Sequence, residues 1–185
     1  MTSGKTHVCP AAISGILDNR IRRWLQDPRK ILVPYVEEGM EVLEVGCGPG
    51  FFTGELARMV GEKGKVVAVD LQEGMLRKVR EKIRGSGLEG RIVLHRCEED
   101  RLGVSGSFDL VFLFYVVHEV ADKRGLFRQL QGLLKDGGVV YLAEPPFEVS
   151  GKAFEKTLRI AGEEGLVVVG KPKRFPDKVA VLKKL

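Results

Sequence analysis

The stretch Glu41-Val42-Leu43-Glu44-Val45-Gly46-Cys47-Gly48-Pro49-Gly50 decides the fold. It reads as an apolar strand with an acid near its end, followed at once by a glycine-rich turn. Glycine adopts backbone angles closed to other residues, so such a turn is tight and lets a ligand lie on bare backbone. The residues after it, about 51–60, have a helical pattern. Strand, glycine turn and helix in that order form the nucleotide-binding unit of open α/β sheets.

Working outward, strand-like runs near 41–45, 65–69, 91–95, 108–114, 138–143, 166–169 and 178–183 alternate with helical stretches near 51–60, 73–84, 122–134 and 150–164. This alternation predicts a mostly parallel sheet covered by helices on both faces, a Rossmann-like three-layer sandwich. Phe108-Asp109-Leu110-Val111-Phe112-Leu113-Phe114 is apolar apart from Asp109, as a strand buried on both faces should be. Residues 170–177 leave no room for a helix, so the last strand is expected to run antiparallel to its neighbour. Asp136-Gly137-Gly138 signals a turn before a strand. Near the N-terminus, Asp18 suits the cap of a short helix reaching Gln26. Pro28 suits the first turn of another, which Pro34 should end near Leu32 or Val33.

A chain of 185 residues with 44% hydrophobic content fits one domain. It has no apolar run long enough to span a membrane, and its polar first residues hold no signal-peptide core, so a cytoplasmic location is expected. Cys9, Cys47 and Cys97 are too few and too scattered for a disulfide framework or a structural zinc site. The net charge of +5 raises nucleic acid as a partner, with Lys171, Lys173, Arg174, Lys178, Lys183 and Lys184 as the nearest thing to a basic patch. Elsewhere the two signs are mixed, as on a solvated surface, so a nucleic-acid partner is not expected.

The glycine spacing discriminates among ligands. The turn is Gly-x-Gly-x-Gly, and Phe51 stands where a dinucleotide fingerprint has its third glycine. No Gly-Lys-Ser/Thr follows, which excludes a P-loop. Glu44 beside the turn would repel a pyrophosphate but suits a cation. S-adenosylmethionine carries a sulfonium and an ammonium and no phosphate. Asp70, ending the run Val66-Val67-Ala68-Val69-Asp70, can accept both ribose hydroxyls, although nicotinamide enzymes place an acid there too.

From Glu41 to about Glu144 the chain resembles the class I S-adenosylmethionine-dependent methyltransferases, with Glu-Val-Gly-Cys-Gly-Pro-Gly as their first motif. Its tone is similar to the small-molecule enzymes of ubiquinone/menaquinone biosynthesis and arsenite methylation. The resemblance implies a seven-stranded sheet with the last strand reversed, residues 39–185 forming the cofactor-binding domain and residues 1–38 a lid or helical segment. It implies that Glu44 organises the loop near the cofactor's amino group, with Gly46, Cys47, Gly48, Gly50 and Phe51 around the methionine part. Asp70 would take the ribose, with Leu71, Gln72 and Met75 at the adenine end. The acid and small residue expected next to adenine map to Glu98 and Glu99, or to Cys97. Phe114 and Tyr115 should pass the methionine side.

Methyl transfer from a sulfonium needs little help beyond alignment. A base is useful only where the nucleophile starts protonated. His118, Glu144 and Tyr115 are the candidate catalytic residues, with no metal required. His7 and Cys9, two apart, form a second polar pair that could hold a soft metal or serve as a thiolate. The chain lacks Asn-Pro-Pro-Tyr and Asp-Pro-Pro-Tyr after the fourth strand, which disfavours base N-methylation. The expected reaction is methylation of a small molecule, with a homodimer able to complete the acceptor site. An RNA or protein methyltransferase and a non-catalytic cofactor-binding protein remain as alternatives.

Overall fold

The structure, a computed structural model, describes residues 26–185. The helix expected from Asp18, the lid assigned to the first residues, and His7 and Cys9 lie outside the described residues.

Helix α1 (Pro28–Leu32) is capped by Asp27, whose carboxylate accepts from the Arg29 N–H. There follow β1 (Glu41–Val45), α2 (Thr53–Met59), β2 (Lys65–Asp70), α3 (Glu73–Ile83), β3 (Ile92–Arg96), β4 (Phe108–Phe114), α4 (Lys123–Leu133), β5 (Leu134–Glu144), α5 (Gly151–Glu163), β6 (Leu166–Gly170) and β7 (Lys178–Lys184). Short 3-10 turns occupy Glu89–Arg91 and Val117–Glu119. The seven strands form one sheet in the order β3-β2-β1-β4-β5-β7-β6. All neighbours are parallel except β7, which runs antiparallel to both β5 and β6. The Rossmann-like three-layer expectation therefore holds, reversed last strand included.

Side-chain alternation explains the layers. On β4, Leu110, Phe112 and Phe114 face one core with Leu32, Phe52, Leu56 and Val79. Val111 and Leu113 face the other, with Phe127, Leu130, Leu158 and Ala161. Both faces of the strand are buried, which is why its sequence is continuously apolar. Phe112, Phe127 and Tyr141 are almost fully buried, each contributing about 1.5–3 kcal/mol. Asp109, the break in that run, serves the far end of the sheet. Its carboxylate accepts from the Glu41 N–H at 2.8 Å and from Lys135 Nζ at 2.8 Å.

One boundary differs from expectation. The Asp136-Gly137-Gly138 turn lies inside β5 as a bulge, with the register jumping from Phe108–Leu134 to Leu110–Val139. Gly137 has φ +82°, and a Cβ on Gly138 would meet the Phe108 carbonyl at 2.8 Å. The glycines turn the chain without ending the strand. Among the described residues no helix is long and apolar enough to cross a membrane.

The turn after β1 is sewn to the end of β2. Gly46 and Cys47 N–H both donate to the Val69 carbonyl, at 2.8 and 3.0 Å. Gly46 has φ +69°, and a Cβ there would stand 2.5 Å from Val116 Cγ2, whereas Gly48 has φ +53° and open space in front of it. Gly46→Ala should therefore cost about 2–4 kcal/mol of stability through strain and overpacking. Gly48→Ala should cost about 1 kcal/mol from backbone strain alone. Equal losses in urea unfolding would show that Val116 does not press on this turn.

Candidate active site

A cavity of about 520 Å³ opens at the C-terminal ends of β1, β2 and β4. That volume lies in the range of small-molecule sites. At one end stand Asp70, Leu71, Gln72 and Met75, with Cys97, Glu98 and Glu99 beside them. The wall is the turn carrying Glu44, Gly46, Cys47, Gly48 and Phe51. Phe114, Tyr115 and His118 line the other end. Two sequence candidates do not line it. Gly50 turns inward at φ +77°, where a Cβ would meet Val79 at 3.1 Å. Glu144 is buried behind His118.

Asp70 is held by backbone. Its Oδ2 accepts from the Gly48 N–H and its Oδ1 from the Gln72 N–H, both at 2.9 Å. Burial raises its pKa, and those backbone bonds oppose the rise. Both carboxylate oxygens keep acceptor capacity for a diol.

Glu44 alternates onto the same side as Val42, under α2, and is almost fully buried. Thr53 Oγ1 donates to Glu44 Oε2 at 2.6 Å. Burial pushes its pKa up to about 8; the Thr53 bond lowers it, the Asp70 charge raises it and Lys82 lowers it. Lys82 also closes the turn from outside, donating to the Pro49 carbonyl at 2.8 Å. The two thiols on the wall are not activated. Burial raises Cys47 and pushes Cys97 up to about 11, so both stay protonated.

His118 sits on the 3-10 turn after β4. Its Nδ1 lies 2.5 Å from Glu144 Oε2, and its backbone N–H donates to Glu144 Oε1 at 3.0 Å. Its Nε2 lies 3.1 Å from Glu148 Oε2. Burial alone would lower the imidazole pKa, but the bond and charge of Glu144 and the charges of Glu148 and Glu119 outweigh it, and the net shift is upward. Lys123 Nζ donates to the carbonyls of Val117 and Val120, at 2.7 and 2.8 Å, and fixes the turn.

Tyr115 follows β4 with φ 61°, an uncommon angle for a bulky residue. Its hydroxyl donates to Asp177 and accepts from Gln26 Nε2 at 2.8 Å. Arg174 Nε donates to the other Asp177 oxygen at 2.9 Å, and the guanidinium carbon lies 5.8 Å from the centroid of the Phe114 ring. Burial and Asp177 both raise the phenol pKa.

Sequence reasoning missed Thr53, Lys82, Glu148 and Asp177. Thr53, the polar residue opening a helix just after the turn, carried a local signal. Glu148 and Asp177 reach the site across 30 and 62 residues from His118 and Tyr115, and no local pattern marks them.

The cavity is acidic, with Glu44, Asp70, Glu98, Glu99, Asp100 and Glu119 on its lining and Arg101 the opposing guanidinium. A ligand with a diol and a positive charge fits that donor set; a pyrophosphate does not. Comparison with known proteins agrees. The family model described as "Methyltransferase domain" matches residues 36–169. The ubiquinone/menaquinone biosynthesis C-methyltransferase UbiE of Cronobacter sakazakii is 33% identical over 124 residues, covering 65% of this chain and 49% of that protein. The chain thus spans about half the length of such relatives. A SAM-dependent methyltransferase from Aquifex aeolicus superposes with a TM-score of 0.84 at 27% identity, covering 95% of this chain and 100% of that one. A protein titled rRNA-methylase from Clostridium thermocellum shares the fold alone, with a TM-score of 0.69 at 19% identity over 87% of this chain and 95% of that one. The acid-lined crevice and the matched domain give one identity: the chain belongs to the class I S-adenosylmethionine-dependent methyltransferases, with S-adenosylmethionine as its cofactor.

Proposed function

We propose that this protein methylates a small-molecule acceptor held beside His118. The observation that carries the reading is the continuity of one cavity from Asp70 to His118. The similarity to UbiE, whose name places it in ubiquinone/menaquinone biosynthesis, supports a small acceptor.

In this reading the Asp70 carboxylate takes the ribose hydroxyls, with its rotamer already set by Gly48 and Gln72. Leu71 and Met75 pack on the adenine, and Cys97, Glu98 and Glu99 edge it. The turn from Gly46 to Gly50 holds the methionine part, and Glu44 answers its positive charge. When bound, the cofactor supplies an electrophilic methyl group on a sulfonium leaving group.

The chain's remaining tasks are alignment and proton removal. Glu144 holds Nδ1 of His118 and so fixes the ring with Nε2 towards the cavity. Nε2 is the atom that takes the proton of a hydroxyl, amine or carbon acid. Glu148 occupies that nitrogen from an exposed loop, with its side chain 68% exposed. A docking acceptor displaces it. Tyr115, its hydroxyl engaged by Asp177 and Gln26, is a wall of the acceptor space.

Asp70→Ala should weaken S-adenosylmethionine binding by about tenfold or more, roughly 1.4 kcal/mol, read by calorimetry; unchanged affinity would refute the ribose assignment. His118→Gln should lower turnover by about 10²–10⁴ while leaving cofactor affinity within about twofold. Equal turnover would remove His118 from the chemistry.

His118 titrates above its ordinary value, so the stability it contributes is fully present below the unfolded pKa of about 6.5. That contribution is lost as pH rises through the folded value. Glu148→Gln should lower the imidazole pKa seen by NMR and shrink the stability advantage on the acid side. An unmoved titration would show that Glu148 does not pair with His118 in solution.

A further inference from the structure

Phe147 and Phe175 are 96% and 99% exposed. One exposed phenyl ring is ordinary on a protein surface, but two on neighbouring loops begin an apolar patch of the kind that meets a partner. Both lie at the same end of the sheet. Phe147 is in the loop between β5 and α5, and Phe175 is in the loop between β6 and β7. Glu144 pairs with Lys178 across β5 and β7, so the two loops leave the sheet side by side. Lys178 Nζ joins them through the Pro146 carbonyl at 3.4 Å. Pro145, Pro146, Pro172 and Pro176 restrict the backbone around both rings.

Each loop also touches the acceptor end of the cavity. Pro145 and Glu148 line it. Asp177 accepts from the hydroxyl of Tyr115, another lining residue. The two rings therefore flank the acceptor-side mouth.

Charge is sorted by direction around that mouth. Glu148 faces inward to His118 Nε2, and the Asp177 side chain is only 3% exposed beneath Arg174. Lys152 and Lys156 on α5, with Lys171 and Lys173 on the second loop, are exposed. Glu155 offsets Lys171 at 2.7 Å. The outer rim is thus aromatic and basic while the cavity within is acidic.

We propose that this rim docks on an anionic lipid surface, Phe147 and Phe175 entering the interface and the surrounding lysines resting on the headgroups. Apolar insertion combined with basic residues is the pair of signals that gives reversible membrane attachment. Headgroup phosphates stop at the basic rim, and an apolar acceptor passes between the rings towards His118. A single-stranded nucleic acid is the competing polyanion, but threading it inward would carry its phosphates past Glu148, Glu119 and Asp122.

The test is flotation of the full chain with phosphatidylglycerol vesicles, with phosphatidylcholine vesicles as the reference. Binding to phosphatidylglycerol should be about tenfold tighter or more, and should fall with added salt. The double variant Phe147→Ser, Phe175→Ser should lose about tenfold or more of that partition, while calorimetry shows its S-adenosylmethionine affinity unchanged. Three results would overturn the proposal: no partition onto phosphatidylglycerol, partition that the double variant leaves within about twofold, or ring-dependent binding to oligouridine RNA tighter than to the vesicles. None of these bears on Asp70 or His118, so the docking surface and the methyl-transfer reading fail separately.

Discussion

The site depends on one constraint of the parallel sheet. From β1 the chain builds outward to β2 and β3, then returns across β1 to place β4 on its other side. The segments after β1 and β4 therefore leave the sheet in opposite directions, and a crevice opens between them. The glycine turn lies there because only bare backbone fits between Val69 and Val116. Asp70 reaches the crevice from the next strand and His118 from the far side. The order of the strands brings the two to one crevice.

Electrostatics gives that crevice its preference. Burial raises the pKa of both Glu44 and Asp70, and the Asp70 charge raises Glu44 further while Lys82 lowers it. A buried carboxyl whose folded pKa lies above its unfolded value weakens the fold as pH rises between the two. A cation placed beside such a carboxyl would lower its pKa again. His118 is the reverse case: the carboxylates around it favour its charged form and raise its pKa against its own burial. Along one cavity, the titration of each group is thus set by what surrounds it.

The sheet and its cofactor end were legible because their signals are local. Leu110 to Phe114 read as a doubly buried strand, and Glu44, the glycines and Asp70 fall within 27 residues of one another. The acceptor end was legible only in fragments. His118 and Glu144 could each be named, but their 2.5 Å contact joins the ends of β4 and β5 and exists only once the strands pair. Asp136-Gly137-Gly138 misled for the opposite reason: its turn chemistry is real, and pairing with β4 on either side keeps the strand going through it. Nothing in the sequence placed β7 between β5 and β6.

That placement ties the acceptor end of the cavity to a single strand. β6 pairs only with β7, and β7 alone joins it to β5. Lys178–Lys184 therefore holds two antiparallel pairs at once. Asp177, which meets the Tyr115 hydroxyl, is the residue just before it. The cofactor end rests on β1, β2 and β4, none of which pairs with β7. Loosening β7 would therefore undo the acceptor end while leaving the strands of the cofactor end paired.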